Sequence, residues 1–474
     1  MMQGKKGDQA RPSGITERLC QTITEIGFGS LPPEAVEVAK RVMLDGIAVG
    51  IAGADEEGPR IAAAHIQSLG GGGDSAVLGM GIRANPVAAA LVNGISIHVL
   101  DFEPMWMPPT HAVSPSLPSV LAAAGIKKAD GRETLAAFIK ACEIQGRLNL
   151  AGKLYAPALL VHHPPGYLGV MGAAVGAGHL LGLNAGQLSN ALGIAASRAG
   201  SLIGNIGTMT KATHCGYSAS LGLEAAMLAA RGFTGNPSVI EAENGYRDAF
   251  FLEEFDYTAL LAFGQPYRMV DPGFAIKQFP SQYPSHFVIT AALELHSRVS
   301  NPSEIASVKI TGPVMNYVNR PAPQTGLEGK FSFQYAATAA LLDGEVGIGT
   351  FKDSRVQKSD VQELLGKTTF VQSEDIPKDM DKMYVEISVT LKNGDSTAAR
   401  CDGPKDFWGA PKLSRDEHMK KIRDCLRLRL DESAAERLIE LCASLEKLSP
   451  AGVEEMTDIA GCFENRVTGR ELPS

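Results

Sequence analysis

The 474-residue chain has no C-x-x-C pair, no long apolar run and no excess of basic charge. Each absence removes a class of protein. Cys20, Cys142, Cys215, Cys401, Cys425, Cys442 and Cys462 are scattered, which argues against a thiolate zinc site or a disulfide framework and suits a reducing compartment. A cytoplasmic location is expected. No stretch reaches the ~20 uninterrupted apolar residues that a membrane helix needs. The best candidate, residues 42–54, is short and carries Asp45. Lys plus Arg number 44 against 52 Asp plus Glu, for a net charge of −8. Nucleic acid is therefore not an expected partner, and any anion site must be assembled locally. The opening MMQGKKGDQARPSG lacks an apolar h-region and is expected to be a mobile tail, not a signal peptide. The run Gly70–Gly73 lacks a following Lys-Ser/Thr, so it predicts a turn and no phosphate loop.

What remains is 45% hydrophobic and 20% charged, ordinary values for a globular protein with a real core. Residues 15–265 predict helices, with Ala, Gly and Leu in blocks broken by Pro and Gly. Pro32-Pro33-Glu34 opens one helix. Asn85-Pro86 opens another that should run to about Leu100. Gly169, Gly172, Gly176 and Gly178 suggest close helix–helix approach. The character changes near residue 270. Residues 304–311 predict a strand, and 383–391 alternate before a turn at Asn393-Gly394, the strongest hairpin signal in the chain. Residues 332–342 predict a helix, and from Ser414 the chain returns to amphipathic helix. The expected fold is mainly α: a large all-α unit over 15–270, a smaller α+β lid unit over 271–410, and helices over 411–460 that pack back on the first unit.

The chemistry concentrates in His98-Val-Leu-Asp101-Phe-Glu103-Pro-Met-Trp-Met-Pro-Pro-Thr110-His111. Two imidazoles and two carboxylates there can carry protons near neutral pH. Asp101 follows a helix at its carbonyl end, which predicts a raised pKa. His98 shares its helical face, and pairing with Asp101 is the expected use of that imidazole. His111 precedes a helix expected over 116–126. His163 precedes Pro164-Pro165, and Lys211 and His214 precede a segment over 216–231. A helix N-terminus attracts anions and keeps a histidine neutral. If the three loops converge, they form an anion pocket walled by bases. Met105 with Trp106 and Met107 reads as packing. Lys277 and Arg320 are candidates to clamp carboxylates, within the polar stretches Lys277-Gln-Phe-Pro280-Ser281-Gln282-Tyr-Pro-Ser-His286 and Asn316-Tyr317-Val-Asn319-Arg320. On its residues alone Tyr317 reads as a core tyrosine. No His-x-x-x-His or similar pair points to a metal.

Leu44-Asp45-Gly46-Ile47, the segment 98–103, Thr110-His111, His163-Pro164, Thr208-Met-Thr-Lys211-x-x-His214, Lys277-x-x-Pro280-Ser281 and Phe331-Ser332-Phe333-Gln334-Tyr335 occur in order. As a set they resemble the MmgE/PrpD family, whose members dehydrate, decarboxylate or epimerise small polycarboxylates. Tyr317-Val-Asn-Arg320-Pro and the strand ending at Gly394 are most similar to its cis-aconitate decarboxylase branch. The resemblance implies a homodimer with a helical domain, a lid domain and an active site between them, free of metal and organic cofactor. It places the family's active-site aspartate on Asp101, its histidines on His111 and His163, its lysine on Lys211 and its tyrosine on Tyr317. Met105, Lys277, Gln282, His286 and Arg320 then become candidates for substrate contact. Met105 stands where the decarboxylases carry threonine, Gln282 where they carry histidine, and Glu103-Pro104 where Asp-Asp is more usual. The expected activity is that of a lyase on a small di- or tricarboxylate. The alternatives are an epimerase of substituted succinates or a non-catalytic carboxylate binder.

Overall fold

The computed structural model describes residues 12–70, 72–153, 161–251 and 254–463. The expected N-terminal tail, up to residue 11, and Gly71 of the glycine run lie outside these residues. Local signals place the main helices. Asn85 caps the Pro86–Val99 helix by accepting from Ala88 N, with Pro at the first position. Asp130 caps Gly131–Gly152, Ser332 caps Phe333–Asp343, and Ser414 with Glu417 forms a capping box on Arg415–Leu426. Each cap satisfies backbone N–H groups that a helix start leaves free.

Two of these helices differ from the sequence expectation at their starts. The helix expected over 116–126 spans Val113–Lys127, and it accommodates Pro118 internally. The segment expected over 216–231 spans Thr210–Ala230. Lys211 and His214 therefore lie in the first turns of a helix, not ahead of it. The first 265 residues also carry strand. Ser75–Val77 pairs with Ile82–Ala84 in a short antiparallel hairpin, and Met105–Trp106 pairs with Phe274–Ala275. That second pair stitches the 98–111 segment to the start of the smaller unit.

One large apolar cluster runs from Ile15 to Cys462 and draws on both ends of the chain. Close helix crossings make it dense. A Cβ on Gly169 would meet Pro115, one on Gly172 would meet Gln145 and the Ala141 carbonyl, and one on Gly176 would meet Val120. The tightest crossing for function joins Pro86–Val99 to Thr210–Ala230: a Cβ on Gly94 would lie 2.7 Å from the Gly216 Cα. Only glycine lets two backbones approach so closely. A second cluster contains Phe287, Val308, Phe333 and Ile387. It lies on a four-stranded sheet ordered Thr368–Ser373, Ile305–Pro313, Val385–Leu391, Ser396–Cys401. The first pair is parallel and the others are antiparallel. The expected hairpin turns at Gly394, whose φ is +93°. The Ser285–His296 and Phe333–Asp343 helices pack against each other and this sheet. No helix among the described residues is long and apolar enough to cross a membrane.

The Arg415–Leu426 helix packs back on Pro33–Gly53 through a buried polar cluster. Lys421 Nζ lies 2.9 Å from Asp45 Oδ1 and donates to the Phe102 carbonyl at 2.8 Å. His418 Nε2 lies 2.8 Å from Asp45 Oδ2. Arg41 Nε can only donate, and it faces His418 Nδ1 at 3.2 Å, so His418 donates its Nε2–H to the Asp45 carboxylate. Burial works against the Asp45 charge, but Lys421 and His418 hold its carboxyl below the usual range. Removing one partner of such a cluster strands a buried charge. Lys421→Met should cost about 3–5 kcal/mol in equilibrium urea unfolding. A loss under about 1 kcal/mol, the worth of an exposed pair, would show that the cluster is not a structural anchor.

Candidate active site

The Pro86–Val99 helix ends at Leu100, and Asp101 turns the chain in the left-handed region, with φ +50°. Its carboxylate is buried between two ammonium groups. Lys211 Nζ donates to Oδ2 at 2.5 Å. Lys277 Nζ donates to Oδ1, to the Asp101 carbonyl at 2.9 Å and to the Ser281 carbonyl at 3.2 Å. The helix end was expected to raise the Asp101 pKa, and the structure reverses that. Burial does push it upward, but Lys211 and Lys277 overcome burial and hold the carboxyl well below the usual range. The two lysines differ in reach. Lys277 is fully enclosed, while Lys211 keeps 8% of its surface exposed. Burial brings Lys277 down to about 8 against the pull of Asp101.

Four histidines adjoin this ion triad. His98 pairs with Glu103, not with Asp101 as expected: His98 Nδ1 is 2.6 Å from Glu103 Oε1. Asp101 is already engaged by two lysines, and Glu103 lies five residues on, within reach of the helix end. Ser114 fixes the Glu103 carboxyl through N–H to Oε2 at 2.8 Å and hydroxyl to Oε1 at 2.7 Å. Burial nevertheless pushes Glu103 up to about 8. His111 lies between the two acids, with Nδ1 3.2 Å from Glu103 Oε1 and Nε2 3.8 Å from Asp101 Oδ1. The His98 and His111 rings meet edge to face at 4.5 Å. The His163 ring is 6.4 Å from that of His111, and its Nδ1 faces His214 Nδ1 at 3.1 Å. Burial first, and nearby lysines second, depress His98, His111 and His163 well below an ordinary imidazole. The same causes bring His214 to about 4. Neutral histidines were expected from helix N-termini. The direction agrees, but burial is the main cause.

The structure thus brings Asp101, His111, His163 and Lys211 together. The smaller unit supplies the rest of the wall. Tyr317 leaves 40% of its surface exposed, yet its hydroxyl turns inward to within 3.5 Å of Gln282 Oε1, and burial pushes its pKa up. Gln282 is also held by Ser285, 2.7 Å from its amide nitrogen. Arg320 lies over the Phe331 ring at 5.5 Å, and Lys211 Nζ approaches the same ring at 5.5 Å. His286 is stacked on Tyr283, and burial, with Lys277 nearby, brings it to about 3. Met105 is buried in the second apolar cluster, in keeping with the packing role its neighbours suggested. Lys330, which the sequence did not single out, donates to the Val99 carbonyl at 3.1 Å, and burial lowers it to about 8. Its sole sequence signal is its place just before Phe331-Ser332.

His98, Glu103 and His111 are the group among the described residues whose ligating atoms come close enough to hold an ion. Ligands of one tetrahedral zinc, each at about 2.0–2.1 Å, sit roughly 3.3 Å apart. The 2.6 Å His98–Glu103 separation is a hydrogen bond instead.

The sequence supports the same family that the residue motifs resemble. The MmgE/PrpD N-terminal domain matches residues 17–258, and the MmgE/PrpD C-terminal domain matches 279–447. The chain belongs to the MmgE/PrpD family. It is 33% identical over 450 residues to cis-aconitate decarboxylase of Homo sapiens, covering 93% of each chain. Identity to cis-aconitate decarboxylase of Mus musculus is 32% over 452 residues, 93% of this chain and 92% of the relative. Identity to 2-methylcitrate dehydratase of Cupriavidus necator is 26% over 364 residues, 67% of this chain and 70% of the relative. The MmgE/PrpD motifs thus fall on the clustered side chains, Asp101 and Lys211 at their centre.

The Asp101 triad makes a pH-dependent prediction. A carboxyl depressed in the folded state adds stability above its unfolded pKa, near 3.9, and loses it as pH falls toward the folded value. Lys277→Met should cost about 3–5 kcal/mol at pH 7, and the gap to the unsubstituted chain should shrink as pH drops below about 4. Urea unfolding at pH 7 and pH 3 reads both. A gap that widens at pH 3 would refute the assignment.

Proposed function

We propose that this lyase of the MmgE/PrpD type acts on a small di- or tricarboxylate by proton transfer at carbon, with charge stabilised by lysines and no metal or organic cofactor. The observation that carries the proposal is the buried Asp101 carboxylate bridged by Lys211 and Lys277, with neutral histidines around it. Lys277 is enclosed and holds Asp101. Lys211 is the slightly exposed partner and can pass from Asp101 to a substrate carboxylate. Arg320, near the same Phe331 ring, would take a second carboxylate. Fixed cations in a water-poor site stabilise the negative charge that develops when a bond to carbon breaks.

For decarboxylation, the first choice given the relatives' names, the carbon–carbon bond to one carboxylate breaks and CO2 leaves. Its electron pair spreads into the remaining conjugated carboxylate, and a proton returns to carbon. Lys211 and Arg320 hold that charge. A neutral imidazole, His111 or His163, exchanges the proton, and Tyr317 or Lys211 is placed to deliver it to the product carbon. Dehydration would use the same groups, with hydroxide as the leaving group. Gln282, held beside Tyr317, would bear on which polycarboxylate fits.

Incubation in D2O with cis-aconitate, citrate, 2-methylcitrate and substituted succinates tests this by NMR. Deuterium entering carbon, with CO2 or a new alkene, is expected for at least one compound. Saturable shifts with no exchange for any compound would identify a binder and sink the proposal. Lys211→Ala should lose on the order of 10²–10³ in kcat; unchanged turnover would remove its assigned role. Because burial depresses His111 and His163, the acid limb of kcat/KM should lie well below the ~6.5 of a free imidazole. A limb at 6.5 would point to a solvated base.

A further inference from the structure

We propose that Glu103 is a positioning residue for the His111 base: its Oε1 takes the Nδ1 edge of His111 and leaves Nε2, on the Asp101 side, to exchange the proton with substrate. This rests on the reading that His111 is a base for the reaction. Glu103 is fully buried and cannot turn, because Ser114 holds both oxygens. Ser114 lies in the first turn of the Val113–Lys127 helix, where the backbone favours a carboxylate.

His111 sits between two acids that differ in their free capacity. Asp101 already accepts from two ammonium groups and lies 3.8 Å from Nε2. Glu103 Oε1 lies closer, 3.2 Å from Nδ1. A neutral imidazole carries a single N–H, and burying it without an acceptor costs stability. The nearer acceptor is on the Nδ1 side, so the proton resides there and the lone pair is on Nε2. The 3.2 Å approach does not reach hydrogen-bond geometry, but the carboxyl oxygen there attracts an N–H and repels a ring lone pair. His98 restrains larger movement. Its Nδ1 occupies the other side of Glu103 Oε1 at 2.6 Å, and its ring lies edge-on to His111 at 88°. Oε1 already receives the Ser114 hydroxyl and faces His98 Nδ1, so the His111 N–H meets it as a third, longer electrostatic contact. The logic is that of a base oriented by an acid behind it, where a wrong tautomer abolishes most of the activity.

Nitrogen-15 NMR of histidine-labelled protein at pH 7 tests the tautomer directly, with the His111 signal assigned by its loss in His111→Gln. A protonated Nδ1 and a bare Nε2 are expected. A proton on Nε2 in the unsubstituted chain would overturn the inference. Glu103→Gln should lower kcat by about 100-fold or more with KM within about threefold, shift His111 toward the Nε2–H form, and be partly rescued by Glu103→Asp. Folded Glu103→Gln with kcat within threefold of the original would also overturn it, since a merely structural carboxyl would move stability alone. If Glu103→Gln does not fold, Ser114→Ala frees the carboxyl and should give the same split, about tenfold; an unchanged kcat there would count against the inference. If no polycarboxylate is turned over, the functional reading fails while the nitrogen spectrum still decides the tautomer.

Discussion

Three lysines from distant parts of the chain converge on the carbonyl end of one helix. Lys330 donates to the carbonyl of Val99, Lys277 to that of Asp101 and Lys421 to that of Phe102. A helix end carries partial negative charge and unpaired carbonyls. Left alone in a core it would be costly and would discourage a carboxylate nearby. The three buried cations satisfy the carbonyls, and Lys277 together with Lys211 keeps Asp101 ionised inside the protein. The rest of the site follows. An ionised Asp101 needs its lysines, and those lysines help burial keep the adjacent imidazoles neutral. The chain ends are drawn in as well, because Lys421 belongs to the Arg415–Leu426 helix.

The division of labour among the ionisable groups comes from their surroundings. Asp101 and Glu103 are two residues apart and both fully buried, yet they are driven in opposite directions. The first faces ammonium groups. The second faces a serine and imidazoles, which cannot offset burial. Pairs of acids separated in this way are how one small volume holds both a fixed charge and a group able to share a proton.

Much of the fold was legible because it is written in local chemistry. Pro86 after Asn85, Ser414 ahead of Glu417 and the alternation before Asn393-Gly394 each specify their element through caps, periodicity or turns. The glycine series from 169 to 176 signalled close packing for the same reason. The functional loops were legible too, since imidazole, carboxylate and ammonium side chains stand out against an Ala-rich background. Partner choice was not. Nothing near residues 330 or 421 in sequence says that these lysines reach back to residues 99 and 102, more than two hundred positions away. Nor did the sequence show that Lys211 and Lys277 both close on Asp101, so the dipole argument gave the wrong sign for that carboxyl and His98 was matched to the wrong acid. Lys211 and His214 were set ahead of a segment expected over 216–231, whereas the helix begins at Thr210.

The Gly94–Gly216 crossing has a consequence for how the site can change over time. The distance between the backbones that carry Asp101 and Lys211 is set by two main chains in contact, while the lysine side chain spans the remainder. A side chain larger than hydrogen at either glycine would push the two backbones apart. Variation in the opposing wall, where Tyr317, Gln282 and Arg320 reside, can therefore proceed without detuning the floor. Such an arrangement lets descendants of one ancestor explore new ligands while inheriting an unaltered acid–lysine pair.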